Sequence, residues 1–126
     1  MKLKRIKEIL QAEVLVGESK LEEEVFTACG ADLMSDVLAS RDEKAVLLTG
    51  LTNIQVVRTA EIVGDIKCII FVRGKSPGED VIREAEKVGL VVMKTRYPLY
   101  IACGLLYSNG LTCKSGEEDG ALHQGI

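Results

Sequence analysis

The feature that most constrains this chain is a short apolar run that recurs four times at nearly constant spacing. The runs are EVFTAC (24–29), AVLLTG (45–50), KCIIFVRG (67–74) and LVVMKTR (90–96). Steps of 21, 23 and 22 residues separate their apolar markers, Val25, Val46, Ile69 and Val91. Continuous apolarity is typical of strands covered on both faces, and a helix start after each run is typical of β-α units. The pattern predicts an α/β domain, a small and mostly parallel sheet of repeated β-α units with helices on both faces.

The two ends of the chain fall outside the repeat. Residues 3–10 have the apolar spacing of a short amphipathic helix, and AEVLVG (12–17) is a further candidate strand. The last residues are rich in glycine and polar side chains. With 126 residues in all, we expect one α/β domain over residues 1–110 and a flexible tail over residues 111–126.

Gly74-Lys75-Ser76 lies between a predicted strand and a predicted helix, where a nucleotide-phosphate loop would end. That motif needs a glycine five positions before the second one, and position 69 is Ile. Ser76 and Glu79 instead have the spacing of a capping box, with Pro77 at the first helical position. We therefore expect the tripeptide to begin a helix and not to bind a triphosphate.

The other junctions also contain helix-start residues. Thr52 and Gln55 repeat the capping-box spacing, and Gly64 is placed to end that helix. Asp32 is a candidate N-cap, with Asp36 in the first turn, where an acid favours the helix dipole. A pair of metal-binding carboxylates is the alternative interpretation of these two aspartates.

Ligands of open α/β sheets bind beyond the carboxyl ends of the strands. Cationic side chains follow two of the predicted ends, namely Arg73, Lys75 and Arg96. Hydroxyl side chains also fall at these ends, namely Thr49, Thr52 and Thr95. A site there would favour an anionic small molecule, such as a phosphate or nucleotide. The alternative is that these are solvated turn residues.

The segment PLYIACGLLY (98–107) is apolar all round apart from two phenolic hydroxyls. A helix of this kind must be covered on every face. We expect part of it to pack against a second copy of the chain, which predicts a homodimer. The interface residues would be Leu99, Tyr100, Leu105, Leu106 and Tyr107. The alternative is a central helix buried by the N-terminal helix and the tail.

Composition excludes several classes of function. A net charge of −3 and the absence of tryptophan argue against nucleic-acid binding. No apolar run approaches a membrane span, and the N-terminal MKLKRIKEIL is too charged for a signal peptide, so we expect a cytoplasmic protein. The four cysteines and the single histidine lack metal-ligand spacing, so no metal and no cofactor are expected.

Two stretches carry a resemblance to a known family: CGADLMSDVLASRDEKAVLLTGLTN (29–53) and FVRGKSPGEDVIREAEKVGLVVMKTRYPLYIACGLL (71–106). They resemble the DRTGG domain family, which is similar to the non-catalytic N-terminal domain of HPr kinase/phosphorylase. The resemblance implies an α/β accessory domain that regulates or dimerises. It also implies a ligand role for Asp32, Ser35, Asp36, Thr49, Gly50 and Thr95. The literal Asp-Arg-Thr-Gly-Gly string is absent from the chain.

Together these patterns predict a non-catalytic regulatory and dimerisation module that senses an anionic small molecule. A partner enzyme, of unknown identity, is compatible with such a module. The alternative is a small phosphotransferase or hydrolase acting on a phosphorylated substrate. A phosphoryl-transfer enzyme needs a phosphate cradle, a metal-binding acid and a base in one place. No Walker loop and no base–nucleophile pair are apparent in the sequence, so we expect no catalytic residues.

Overall fold

The computed structural model describes residues 1–39 and 43–113. Its helices are α1 (Leu3–Leu10), α2 (Met34–Leu38), α3 (Ile54–Val63), α4 (Glu79–Val88) and α5 (Leu99–Ser108), with a 3₁₀ turn at Glu18–Lys20. Its strands are β1 (Glu13–Val16), β2 (Thr27–Gly30), β3 (Ala45–Thr49), β4 (Ile66–Phe71) and β5 (Val91–Lys94).

The strands form one sheet in the order β1-β5-β4-β3-β2. The four predicted runs supply β2 to β5, which pair in parallel in the order of the sequence. β1 joins the β5 edge in the antiparallel direction. Both the α/β class and the mostly parallel sheet are therefore confirmed.

Helices cover the two faces of the sheet unequally. α2, α3 and α4 contact one another in sequence, while α1 and α5 contact each other on the opposite side. Alternate strand residues enter the two cores: Leu47 and Ile69 belong to the first, and Leu48 and Ile70 to the second. Because all four are completely buried, the strands need to be apolar on both sides, and the prediction of helices on both faces is confirmed.

Consecutive parallel pairing brings four strand ends to one edge of the sheet. Cys29 pairs with Leu47, Leu47 with Ile69, and Ile69 with Val92. The loops that follow β2, β3, β4 and β5 therefore meet along one edge, which we call the rim.

The predicted capping boxes are wrong, because each helix begins later than its sequence pattern indicates. α3 has Asn53 as its N-cap, and the Asn53 side chain accepts the Gln55 backbone N–H, so Thr52 does not cap it. α4 begins at Glu79 after Gly78, without a side-chain cap, and Pro77 precedes the helix. The predicted stop at Gly64 is confirmed by its left-handed φ of 83°.

The late start of α4 has a cause in the loop that precedes it. Arg73 and Gly74 both have left-handed backbones, with φ of 63° and 69°. Their N–H groups donate to the Tyr97 and Thr95 carbonyls over 2.9 and 2.8 Å. The segment after β4 is thus hydrogen-bonded to the loop after β5. α4 can begin only beyond this contact.

The chain beyond α5 returns to the free edge of β2. Leu111 is buried at 3% exposure, and the Ala28 N–H donates to the Thr112 carbonyl over 3.0 Å. Residues 114–126, which make up most of the predicted flexible tail, lie outside the described residues, so the boundary at 110 stays a prediction. In the described part of the chain, no helix has the length and apolarity needed to cross a bilayer.

Candidate functional site

The rim collects the predicted binding residues, but in two separate groups. One group surrounds the end of β3, and we call it the β3 cluster; it consists of Asp32, Thr49, Gly50 and Lys75. The other surrounds a cleft at the ends of β4 and β5, which we call the β5 cleft; it is lined by Leu10, Gln11, Glu13, Gly74, Lys94, Thr95, Arg96 and Tyr97.

Asp32 is the centre of the β3 cluster. One carboxylate oxygen, Oδ1, accepts the Thr49 hydroxyl over 3.0 Å and the Gly50 N–H over 2.8 Å. α2 begins at Met34 after Leu33, so the predicted N-cap role of Asp32 is wrong. The aspartate ties the loop after β2 to the end of β3, because a carboxylate forms stronger hydrogen bonds than a neutral acceptor does.

Thr49 and Lys75 complete this cluster. Thr49 is completely buried, and its hydroxyl oxygen also accepts the Leu51 N–H over 3.2 Å. The Lys75 ammonium donates to the Gly50 carbonyl over 3.2 Å at the exposed side. Gly50 therefore has an acidic partner on its N–H and a basic partner on its carbonyl.

The other predicted residues of this region lie outside the cluster. Ser35 and Asp36 are exposed on α2, and Thr52 is half-buried in the loop before α3. Within residues 1–39 and 43–113, no three His, Cys, Asp or Glu side chains are grouped so that they could hold a metal ion. The structure thus brings Asp32, Thr49 and Gly50 together and leaves the remaining side chains apart.

The β5 cleft has a volume of about 730 Å³. Thr95 forms its floor: the hydroxyl donates to the Leu10 carbonyl over 2.7 Å and accepts the Tyr97 N–H over 3.3 Å. Thr95 is buried, and its hydroxyl already donates one hydrogen bond and accepts another. Its role at the cleft is therefore structural. This side chain holds the end of α1 against the loop after β5.

Cationic side chains mark the open side of the cleft. The Lys94 ammonium donates to the Ser76 hydroxyl over 2.9 Å and lies 3.6 Å from a Glu13 carboxylate oxygen. Arg96 is exposed and has no hydrogen bond or ion pair within the described residues. Arg73, beside the lining residue Gly74, is also exposed, and its guanidinium has no such partner there. An unpaired guanidinium at the mouth of a cleft suits a carboxylate or phosphate ligand.

Sequence reasoning missed the residues that α1 and β1 contribute to this cleft. Gln11 follows the end of α1 with a left-handed φ of 49°, and Glu13 begins β1. Both reach the cleft because β1 pairs with β5, and Glu13 lies opposite Lys94 in that pair. Sequence reasoning also missed Tyr97; its position directly after Arg96 was the only local signal for it.

The predicted dimer residues of α5 divide into two sets. Leu106 is completely buried in the core of the domain, and Leu99 and Leu105 pack partly against that core. Leu106 is therefore not accessible to a second copy, because α5 turns this side onto the sheet. Tyr100 and Tyr107 are 79% and 67% exposed, and they line an apolar groove of about 370 Å³ with Cys103 and Gly104.

Of two thiols near this face, Cys68 on β4 is buried and Cys103 on α5 is half-buried. Burial raises the pKa of the Cys68 thiol and that of the Cys103 thiol. Cys103 also lies against Gly30, where an added β-carbon would come within 2.5 Å of its sulfur. Gly30 therefore lets α5 approach the end of β2.

Comparison with known proteins identifies a likeness to a solved structure. No protein-family model matches the chain, and no curated protein matches it. Among solved structures, the chain is similar to the CBS and DRTGG domains of the regulatory region of a Clostridium perfringens pyrophosphatase, solved with its activator, diadenosine tetraphosphate. The TM-score is 0.68 at 19% identity, over 83% of this chain and 45% of the other.

The chain spans less than half of that solved regulatory region. At this identity the likeness concerns the fold, and it agrees with the resemblance found in the sequence. The chain folds as a DRTGG-like α/β domain.

Proposed function

We propose that this chain is a non-catalytic regulatory module that senses an anionic, phosphate- or nucleotide-containing small molecule at its rim and acts as a homodimer. The predicted similarity to the N-terminal domain of HPr kinase/phosphorylase and the predicted cytoplasmic location belong to the same proposal. The observation that carries the ligand part is the β5 cleft with the exposed guanidinium of Arg96 among its lining residues, unpaired within the described residues. Arg73, which is also exposed, precedes the lining residue Gly74.

The charges of the cleft favour an anion over a cation. Lys94 and Arg96 lie on its walls, and among the described residues that line it Glu13 alone is acidic, at 3.6 Å from Lys94. The volume of about 730 Å³ is in the usual range for a small-molecule site. Tyr97, which is half-buried, adds an aromatic wall, which suits a ligand with a planar base as well as a phosphate.

The solved structural neighbour supports the same class of ligand. That protein's regulatory region was solved with a nucleotide activator that carries four phosphates. The present chain has the fold of part of that region, so an anionic nucleotide is a suitable first probe. The alternative predicted from the sequence, a small phosphotransferase or hydrolase, stays a prediction. Phosphate release from the same nucleotides would favour it.

The ligand proposal is tested by thermal denaturation with ATP, diadenosine tetraphosphate and inorganic phosphate, each at millimolar concentration. A ligand that binds the folded state raises the melting temperature by mass action. We expect Arg96→Gln to reduce the shift, because it removes a charge from the cleft. Arg58→Gln is the matched control, since Arg58 is an exposed arginine in the middle of α3. No shift with any probe, or an equal loss in both variants, would contradict the proposal.

The dimer part of the proposal depends on the outer face of α5. Tyr100, Ile101 and Tyr107 are exposed at 79%, 46% and 67%. Large aromatic side chains on a small-residue helix, here with Gly104, are typical of surfaces that meet another protein. A second copy is the simplest occupant, because it requires no further gene product.

Light scattering of the purified chain tests the dimer. The wild-type chain is expected to have twice the mass of the monomer, and the double variant Tyr100→Ser/Tyr107→Ser is expected to be monomeric. Ile62→Ser is the control, because Ile62 is 72% exposed on α3, away from that face. A wild-type monomer at high concentration would overturn this part alone and leave the ligand proposal in place.

A further inference from the structure

The β3 cluster has the donor set of an oxyanion site, and an internal carboxylate occupies it. We propose that Asp32 is a built-in competitor at this site, and that a phosphate group of a ligand binds by replacing the Asp32 carboxylate on the Gly50 N–H and the Thr49 hydroxyl. The inference rests on the proposed function, because it specifies how part of the rim receives an anionic ligand.

The donors around the carboxylate are those that proteins use for phosphate oxygens. A backbone N–H at 2.8 Å and a hydroxyl at 3.0 Å donate to the same oxygen, Oδ1. The Lys75 ammonium is held on the Gly50 carbonyl at 3.2 Å, so a positive charge stands next to the same residue. A phosphate carries more charge and more acceptor oxygens than a carboxylate, and it is the stronger acceptor for this set.

The site is open to solvent from the side on which the carboxylate lies. Asp32 and Lys75 are exposed, and Gly50 is half-buried. A β-carbon on Gly50 would lie 3.6 Å from Asp32 Oδ1 and 3.8 Å from Oδ2. The glycine thus leaves its own N–H accessible above the sheet, and a larger anion meets no side chain of residue 50.

Displacing Asp32 disturbs little of the core. Asp32 lies just before α2, which is five residues long and has Val37 as its fully buried residue. Thr49 ends β3, an interior strand of the sheet, Gly50 follows it directly, and both stay in place. The element that moves on exchange is therefore the segment from Asp32 into α2, which makes ligand occupancy visible on the α2 side of the sheet.

The competition also explains why position 32 carries a charged residue, although a neutral residue can form the same hydrogen bonds to Gly50 and Thr49. An asparagine is a weaker, neutral acceptor for the Gly50 N–H and the Thr49 hydroxyl, so it leaves the site more readily, and it repels no incoming phosphate. If the carboxylate holds the site closed in about nine molecules of ten, opening it tightens the apparent Kd about tenfold.

The test is isothermal titration calorimetry with sodium tripolyphosphate on the wild-type chain, on Asp32→Asn and on Asp36→Asn. The control removes an equal charge four positions later, on exposed α2. We expect Asp32→Asn to bind roughly tenfold tighter than the wild type, and Asp36→Asn to bind within about twofold of it, because surface charges at greater distance are screened.

A second measurement needs no variant. In the wild-type chain, tripolyphosphate is expected to shift the Gly50 amide resonance, while the Gly64 amide, at the far end of α3, stays unchanged. Asp32→Asn binding equal to or weaker than the wild type, equal tightening in both variants, or an unmoved Gly50 amide during binding would overturn the competitor role alone. No binding of tripolyphosphate by wild type or variant would overturn the competitor role, while the thermal shifts with ATP and diadenosine tetraphosphate decide the proposed ligand function separately. Binding only by Asp32→Asn would support the competitor role.

Discussion

The β3 cluster and the β5 cleft are both built on a buried threonine at the end of a strand, yet the two hydroxyls differ in their partners. Thr95 donates to the Leu10 carbonyl over 2.7 Å, and that bond is buried between α1 and the sheet. Thr49 donates to Asp32, an exposed side chain, over 3.0 Å. One hydroxyl is fixed to the scaffold, while the partner of the other can be exchanged.

The partners of the two hydroxyls distinguish the part of the rim that is structural from the part that can respond to a ligand. At the β5 cleft the scaffold bonds are internal, and the guanidinium of Arg96 remains unpaired among the described residues. In the β3 cluster the donors that could bind a ligand, the Thr49 hydroxyl and the Gly50 N–H, are already hydrogen-bonded to the Asp32 carboxylate. We therefore expect ligands to enter the cleft without rearrangement and to enter the cluster only by displacing Asp32.

The largest effect on stability is expected from Thr95→Val. The substitution keeps the shape but leaves the Leu10 carbonyl and the Tyr97 N–H without their partner. An unsatisfied buried polar group costs about 1–3 kcal/mol, so we expect a loss of about 2 kcal/mol in the free energy of unfolding. Urea denaturation of the variant and the wild type measures it. A loss under about 0.5 kcal/mol would show that water replaces the hydroxyl, contrary to its internal position.

Thr49→Val is expected to cost less, about 1 kcal/mol, because Asp32 is exposed and can turn to water. The same urea experiment gives the difference between the two threonines. The variant also removes one donor of the proposed oxyanion site, so tripolyphosphate binding is expected to weaken. A greater loss of stability than in Thr95→Val would reverse the comparison and make the Asp32 tie a scaffold bond.

Thr59→Val is the matched change at a buried threonine without a partner. Thr59 is 1% exposed on α3, and its hydroxyl has no hydrogen-bond partner in the described part of the chain. Replacing an unsatisfied polar atom by a methyl group is expected to raise the free energy of unfolding by up to about 1 kcal/mol. If Thr59→Val is instead as destabilising as Thr49→Val, loss of the hydroxyl bond does not explain either result.

Periodicity in the sequence was sufficient to predict the sheet and its layers. A strand such as β3, with all five residues buried, has to be apolar throughout, so its run is visible without any structure. The ends of the helices were less predictable. Ser76 has the spacing of a cap, but its hydroxyl accepts the Lys94 ammonium across the rim, and a contact between loops leaves no local signal.

The candidate site was predictable in its location but only partly in its chemistry. Parallel strands bring their carboxyl ends together, so Thr49, Arg73 and Arg96 were expected at one edge. The hydrogen bond from the Gly50 N–H to Asp32 joins residues that are 18 positions apart, and capping chemistry offered an equally good local explanation of the aspartate. Gln11 enters the cleft through the antiparallel β1, which the β-α repeat does not include.

Arg73 offers the smallest change and the finest distinction between the two regions. It has a left-handed φ of 63° in the turn before Lys75, where glycine has no steric penalty. We expect Arg73→Gly to alter the free energy of unfolding by about 0.5 kcal/mol or less, because relief of the left-handed strain is offset by the greater freedom of the unfolded chain.

Binding should respond differently from stability. Removing the charge of Arg73 is expected to weaken nucleotide binding at the β5 cleft, while Gly74, with the same left-handed geometry, keeps the turn intact. Arg73→Lys is the control, since it keeps the charge together with the left-handed strain. Parallel urea and calorimetric titrations decide the outcome: unchanged binding in Arg73→Gly would assign this arginine to the solvated turn and leave Arg96 as the guanidinium that serves the cleft.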